Sequence, residues 1–202
     1  MKKTIVFLLF SFITSLSFSQ TSWELKKDEE GIQVYTREIN GSSINEFRAV
    51  AVYQTTMNEL VRVITDAQNL KRWNYKTIKS KLLKKTSNNK FIVYMYNDFG
   101  WLVKDRDHVS EITVVPVNET TIKITINSLP KYLPEVANSI RIKEFSGFWL
   151  LEKQTNGIRV TQQMHGEPRG YVPTILVNAT LAKAPLYTFK QLKKVLKTSS
   201  KH

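Results

Sequence analysis

Arg106, His108 and Ser110 stand at alternate positions of a β-patterned run, so a strand would turn all three, with Ile112 and Val114, to one face. Asp105 and Asp107 would share the opposite face, where two carboxylates either do acid–base work or pair with Lys104 or Arg106. A guanidinium buried without a partner is costly. Arg106 therefore needs one of two settings: a carboxylate at the start of its strand, or a cavity whose ligand brings a polar head. A second candidate for proton transfer is His165 beside Glu167, because imidazole titrates near neutral pH. The structural alternative is a hydrogen-bonded histidine at a strand end. Three histidines and no cysteine leave no metal-ligand spacing and no thiol chemistry. The sequence also lacks a nucleophile elbow, a phosphate-cradling glycine loop and a dinucleotide fingerprint.

The elements that would position these groups read as strands framed by helices. Residues 31–37 alternate, the turn at Asn40 and Gly41 follows, and residues 44–53 form a second strand. Thr56, with Glu59 three residues on, is a capping-box signature ahead of Leu60, Val61, Val63 and Ile64. Further strands are expected over 78–85, 91–96, 106–117, 121–128, 140–152 and 158–164, the last two joined by a tight turn at Asn156 and Gly157. Pro173 suits the first turn of a helix running towards Lys197. Ile175, Ala179, Ala182, Leu186 and Phe189 would form its apolar stripe, extended by Leu192 and Leu196, and Pro185 should kink or break it. About nine strands and a long terminal helix predict an α+β fold, the sheet curled around the helix with space between them. Trp23, Trp73 and Trp149 suit the core.

Lys2 and Lys3, the apolar residues 5–13 and the small residues Ser17 and Ser19 predict a secretory signal peptide over residues 1–19. One domain over residues 20–202 would follow, exported to the periplasm or beyond and held there by its core without disulfides. The net charge of +13 is scattered over lysines such as Lys79, Lys84, Lys190 and Lys194. That pattern suits a solvated surface, or attraction to anionic headgroups. Export argues against nucleic acid as a partner, and a monomer is expected.

Several stretches together carry a resemblance. They are Trp23-Glu24-Leu25, residues 31–37, Trp73 after the first helix, the Trp101-to-Asp107 segment, and Gly170-Tyr171-Val172-Pro173 ahead of Val177 and Asn178. In order and spacing they resemble START domains, the lipid-transfer modules related to the steroidogenic acute regulatory protein, over roughly residues 22–197. The resemblance implies a helix-grip fold with a hydrophobic tunnel beneath the C-terminal helix, and lipid binding without catalysis or cofactor. It implies that Arg106 reaches into the cavity, that Trp101 sits on a loop closing it, and that the helix after Pro173 is a lid. Sterol-binding members pair that arginine with an acidic side chain on the preceding strand. Residues 90–97 hold none, and Asp98 and Glu111 are the nearest substitutes.

The expected ligand wall therefore comprises Trp73, Tyr94, Tyr96, Trp101, Arg106, His108, Ile112, Met164, His165, Tyr171, Ile175 and Ala179. Trp101 faces either the ligand or a membrane. The leading function is binding, with or without transfer, of a lipid or other hydrophobic small molecule. The alternatives are a cyclase-like or hydrolytic enzyme using His165 with Glu167 or Asp107, and a ligand-free interaction module.

Overall fold

The computed structural model describes residues 22–101 and 103–199. The expected signal peptide over residues 1–19 lies outside them. Ten strands and two helices follow one another: β1 (Glu24–Glu29), β2 (Ile32–Arg37), β3 (Glu46–Tyr53), α1 (Met57–Thr65), β4 (Thr77–Ser87), β5 (Lys90–Asn97), β6 (Asp105–Asn118), β7 (Thr121–Ser128), β8 (Ser139–Arg141), β9 (Phe145–Gln154), β10 (Gly157–Gly166) and α2 (Thr174–Ser199). A single 3-10 turn, Leu70–Arg72, links α1 to β4.

The strands form one curved sheet in the order β1-β2-β3-β10-β9-β7-β6-β5-β4. All of these neighbours are antiparallel, and β3 joins the last strand, β10, so the first three strands meet the last two in the sheet. Buried residues at alternate positions, Ile32, Val34 and Thr36 on β2 and Ile158 and Val160 on β10, mark its inner face. The β9–β10 hairpin turns where Gln154 opposes Gly157. Gly157 has φ of 128°, and a Cβ there would lie 2.5 Å from the Tyr53 carbonyl oxygen, so a side chain is excluded twice over.

α1 begins as its capping signature predicts: the Glu59 amide donates to Thr56 Oγ1 at 3.2 Å. Its buried side, Leu60, Val63 and Ile64, closes one end of the core. The far half of α2 fills the middle. Phe189 stacks on Trp149 with ring centroids 5.6 Å apart, and Trp149 meets Trp73 edge-on at 5.9 Å. The Tyr53 hydroxyl donates to the Phe189 carbonyl at 3.0 Å, fixing helix against sheet.

Four expectations change. β1 was not expected; its sequence has no apolar alternation, and it joins through backbone pairing at an exposed edge. The strand expected over 140–152 is two strands. β8 runs parallel to the start of β6, where Asp107 draws Arg141 inward, and β9 starts afresh at Phe145. Pro185 does not break α2, which continues through it. Trp23 lies outside the core, held between the guanidinium groups of Arg37 and Arg48, 4.5 and 4.1 Å from its ring centre.

Candidate ligand-binding site

A chamber of about 340 Å³ opens between the sheet and the first turns of α2. A deeper pocket of about 70 Å³ lies against Trp73, Val93, Ser110, Ile112 and Trp149. Asn74, His108, Phe145, Gln162 and Met164 border both, which makes them consecutive parts of one cavity. The chamber's volume is within the ordinary range for small-molecule sites, roughly 300–1,000 Å³, and its wall is mostly apolar.

Arg106 is on the chamber wall and only 3% exposed. Among the described residues no carboxylate lies within ion-pair distance of it; its partners are backbone carbonyls. Nε donates to Pro168 O at 3.1 Å, Nη2 to Arg169 O at 2.8 Å, and Nη1 to Lys104 O. Burial therefore pulls its pKa down, against a smaller upward pull from Asp105. Three of the five N–H groups of the guanidinium are thus occupied, tying the segment ahead of α2 to β6. That segment bends sharply through two left-handed residues, Arg169 (φ 50°) and Gly170 (φ 73°). A Cβ on Gly170 would meet Ile140 Cδ1 at 2.5 Å.

The carboxylates expected near Arg106 are committed elsewhere. Asp105 accepts from the Tyr96 hydroxyl at 2.8 Å and the Phe99 amide at 3.2 Å. Asp107 accepts from Arg141 at 2.7 and 3.1 Å, both side chains fully buried, and Arg141 also donates to the carbonyls of Pro130, Leu133 and Pro134. Asp98 accepts from the Gly100 amide, and Glu111 pairs with Lys90 at 3.1 Å. Neither substitutes for the missing acidic partner. Asp107, turned away from the cavity and locked by Arg141, is a clamp rather than a proton shuttle.

His108 lies where chamber and pocket meet, with Nδ1 2.9 Å from Ser110 Oγ. Burial pulls its pKa down to about 4, so the ring is neutral at physiological pH. Asp107 pulls the other way and Arg141 reinforces the fall. His165 also borders the chamber, with Nε2 3.6 Å from Glu167 Oε1 and no hydrogen-bond partner among the described residues. Glu167 Oε1 instead accepts from Ser42 Oγ. Asn97 Oδ1 and Gln162 Oε1 on the chamber wall, and Trp73 Nε1 on the inner pocket, are likewise buried without a hydrogen-bond partner.

Of the expected wall, Arg106, His108, Met164 and His165 border the chamber, and Trp73 and Ile112 the inner pocket. Tyr94 and Tyr96 do not. They lie on the outer face of β5, where Tyr96 meets Asp105; burial, aided by the Asp107 charge, pushes the Tyr94 pKa up to about 12. Trp101 is 93% exposed and Tyr171 104%, both on the rim. Ile175 is 77% exposed and Ala179 is exposed as well, because α2 turns a neighbouring stripe to the chamber: Val177, Thr180, Leu181 and Ala184, with Leu176 at its exposed edge. The outer end of α2 is fastened by Asn178, which accepts from the Asn45 amide at 3.0 Å and donates to Ser43 O at 3.2 Å. Sequence reasoning missed Asn97 and Gln162. Gln162 was visible as the one polar residue among Ile158, Val160 and Met164 on its strand face.

A curved antiparallel sheet gripping a long C-terminal helix over an internal cavity is the helix-grip architecture. The START domain family model matches residues 11–202, and the chain belongs to that family. It is 30% identical over 172 residues to an uncharacterized protein of Pseudomonas aeruginosa, covering 85% of each chain. The structure superposes on a STAR-related lipid transfer protein from Xanthomonas axonopodis with a TM-score of 0.82 and 34% identity, covering 87% of this chain and 98% of that one. Human StAR-related lipid transfer protein 5 superposes at 0.78 with 14% identity, covering 88% of each chain. The Zhui aromatase/cyclase from Streptomyces gives 0.52 with 11% identity, covering 77% of this chain and 93% of that one. At 14% and 11% identity these last two share the fold.

Proposed function

We propose that this protein is an exported carrier of one hydrophobic small molecule with a polar head, held in the chamber without chemical change. The observation that carries the reading is the apolar chamber of about 340 Å³ with an arginine on its wall that, among the described residues, has no carboxylate within ion-pair distance. Apolar burial at about 25 cal/mol per Å² would supply most of the affinity. Arg106, with N–H groups to spare, would meet an anionic or hydroxylated head by charge-assisted hydrogen bonds. A volume at the lower end of the ligand-site range favours one chain or a fused-ring body over a two-chain phospholipid.

The rim supports cargo exchange at an anionic membrane surface. Trp101, Tyr171 and Ile175 stand in solvent around a mouth bordered by Phe99, Val172 and Leu176. Lys104 and Arg169 lie in the same two segments, both held by Arg106. Residues 1–19, as a signal peptide, would deliver the protein to the envelope.

Native mass spectrometry after incubation with a panel of fatty acids, sterols and lysolipids tests the reading. One-to-one complexes are expected, and Ala184→Trp, which fills the chamber from α2, should abolish them while the fold persists. An absence of complexes across the panel would refute a carrier. Chemical conversion of a bound molecule, lost in His165→Gln, would favour an enzyme instead.

A further inference from the structure

Folding gathers lysines that look scattered in the sequence. Residues 67–97 hold seven lysines and Arg72 but no Asp or Glu, so they supply +8 of the net +13. Lys90 pairs with Glu111 at 3.1 Å; the other seven cations are exposed, and among the described residues none has a carboxylate within ion-pair distance. Four of the seven lie on β4, which is one edge of the sheet. The other edge, β1, differs: Lys26 pairs with Glu24 at 2.5 Å and Lys27 with Glu29 at 3.6 Å. Charge of either kind guards an edge strand against pairing with another chain, so that guard does not explain why β4 carries one sign only.

The register turns these lysines one way. Lys79, Lys81 and Lys84 oppose Tyr96, Tyr94 and Ile92 on β5, which puts all three on the outer face of the sheet. An irregularity between Leu82 and Lys84 brings Lys84 round; in unbroken register it would face inward. Lys79 Nζ lies 5.3 Å from the Tyr96 ring centre. The turn carrying Lys71 and Arg72 is tied alongside, the Lys71 amide donating to Ser80 Oγ at 3.2 Å. The row starts at the rim, where the Asp98 amide donates to Lys76 O at 2.9 Å and Phe99 and Trp101 follow in the chain.

We propose that the outer face of β4, with the turn before it, docks on an anionic lipid bilayer, the strand lying along the surface and the Phe99–Trp101 loop dipping in at its end. The lysines on that face are two or three residues apart, about 7–10 Å, and converge on no point; a plane of headgroup charge fits them and a single phosphate does not. The exposed indole at the end of the row supplies the apolar anchor of an interfacial site, which an acidic protein partner would leave unused. Each cation near such a surface is worth about fivefold in affinity.

This inference deepens the membrane-exchange reading and rests on it, and the test separates the two. The protein is cosedimented with phosphatidylcholine vesicles with and without phosphatidylglycerol over a range of salt. Binding should require phosphatidylglycerol and weaken as salt screens it. Lys79→Gln, Lys81→Gln and Lys84→Gln together should lower affinity about a hundredfold. Lys131→Gln, Lys153→Gln and Lys194→Gln, which remove the same charge from exposed positions elsewhere, should change it by only about twofold. Because the chain has no cysteine, a nitroxide can be placed on Thr86→Cys, exposed near the far end of β4. On vesicle binding it should become shielded from a water-soluble relaxing agent. Equal losses in the two triple variants, or a nitroxide left in water, would overturn docking on β4. If the β4 variant binds as the wild type does while Trp101→Ser with Tyr171→Ser does not, the rim alone docks and this inference fails. A wild type indifferent to phosphatidylglycerol would overturn the membrane reading and this inference with it.

Discussion

His108 makes the stability of this domain depend on pH in a calculable way. In the unfolded chain its imidazole protonates near pH 6.5; burial between β6 and Phe145 holds it neutral down to about pH 4 in the native protein. Between those values the unfolded chain binds a proton that the native one refuses, so acid draws the equilibrium towards unfolding. Stability is fully present above pH 6.5, falls as pH drops through the window, and stops falling on this account below pH 4. The full difference is worth about 3 kcal/mol, and the part spent between pH 7 and pH 5 about 2 kcal/mol. Against a domain stability of about 5–15 kcal/mol that is a large fraction. Urea denaturation of the wild type and of His108→Gln at both pH values isolates the contribution, because the other histidines and every carboxylate remain in the variant. The wild type should lose about 2 kcal/mol more than the variant on going from pH 7 to pH 5. Equal losses would refute the argument, showing that protonated His108 finds solvent or a partner in the native state.

Two other perturbations have definite outcomes. Asp107→Ala leaves the fully buried Arg141 guanidinium with carbonyl partners alone and should cost about 3–5 kcal/mol in urea denaturation; a loss under about 1 kcal/mol would show that the clamp is dispensable. Trp101→Ser with Tyr171→Ser should weaken cosedimentation with phosphatidylglycerol vesicles by about tenfold or more and leave the denaturation midpoint in place, and unaltered vesicle binding would remove the rim from membrane docking.

Elements with strong local chemistry were legible in the sequence. Thr56 and Glu59 announce α1, Gly157 announces the β9–β10 turn, and the even positions of β6 from Arg106 to Ile112 face the cavity as their alternation implies. Phase was harder. On β5 both faces are apolar or aromatic, Val93 and Met95 on one and Tyr94 and Tyr96 on the other, so alternation alone does not choose the inner one. The same holds at the start of α2, where Ile175, Leu176 and Val177 are consecutive and the packed stripe is one residue off the expected one. The partners of Arg106 were illegible for a different reason. All three are backbone carbonyls, two of them some sixty residues on and set by the bend at Arg169 and Gly170, and carbonyls carry no sequence signature. Asp107 and Arg141 are an ordinary acid and base in the sequence; only the parallel pairing of β8 with β6 brings them together.

Pro185 divides the labour of α2. Having no N–H, it leaves the Leu181 carbonyl without its helical donor, midway along the helix and beside the chamber. Behind it, Leu186, Phe189, Leu192 and Leu196 are sunk in the core; ahead of it, the turns that roof the chamber are half in solvent and fastened at their outer end by Asn178. The helix thus joins a loosely covered front half to an anchored rear half. On the carrier proposal, opening the first half would cost the free energy of a segment and not that of the domain, so that loading would be tuned at the front turns while the rear turns keep the fold.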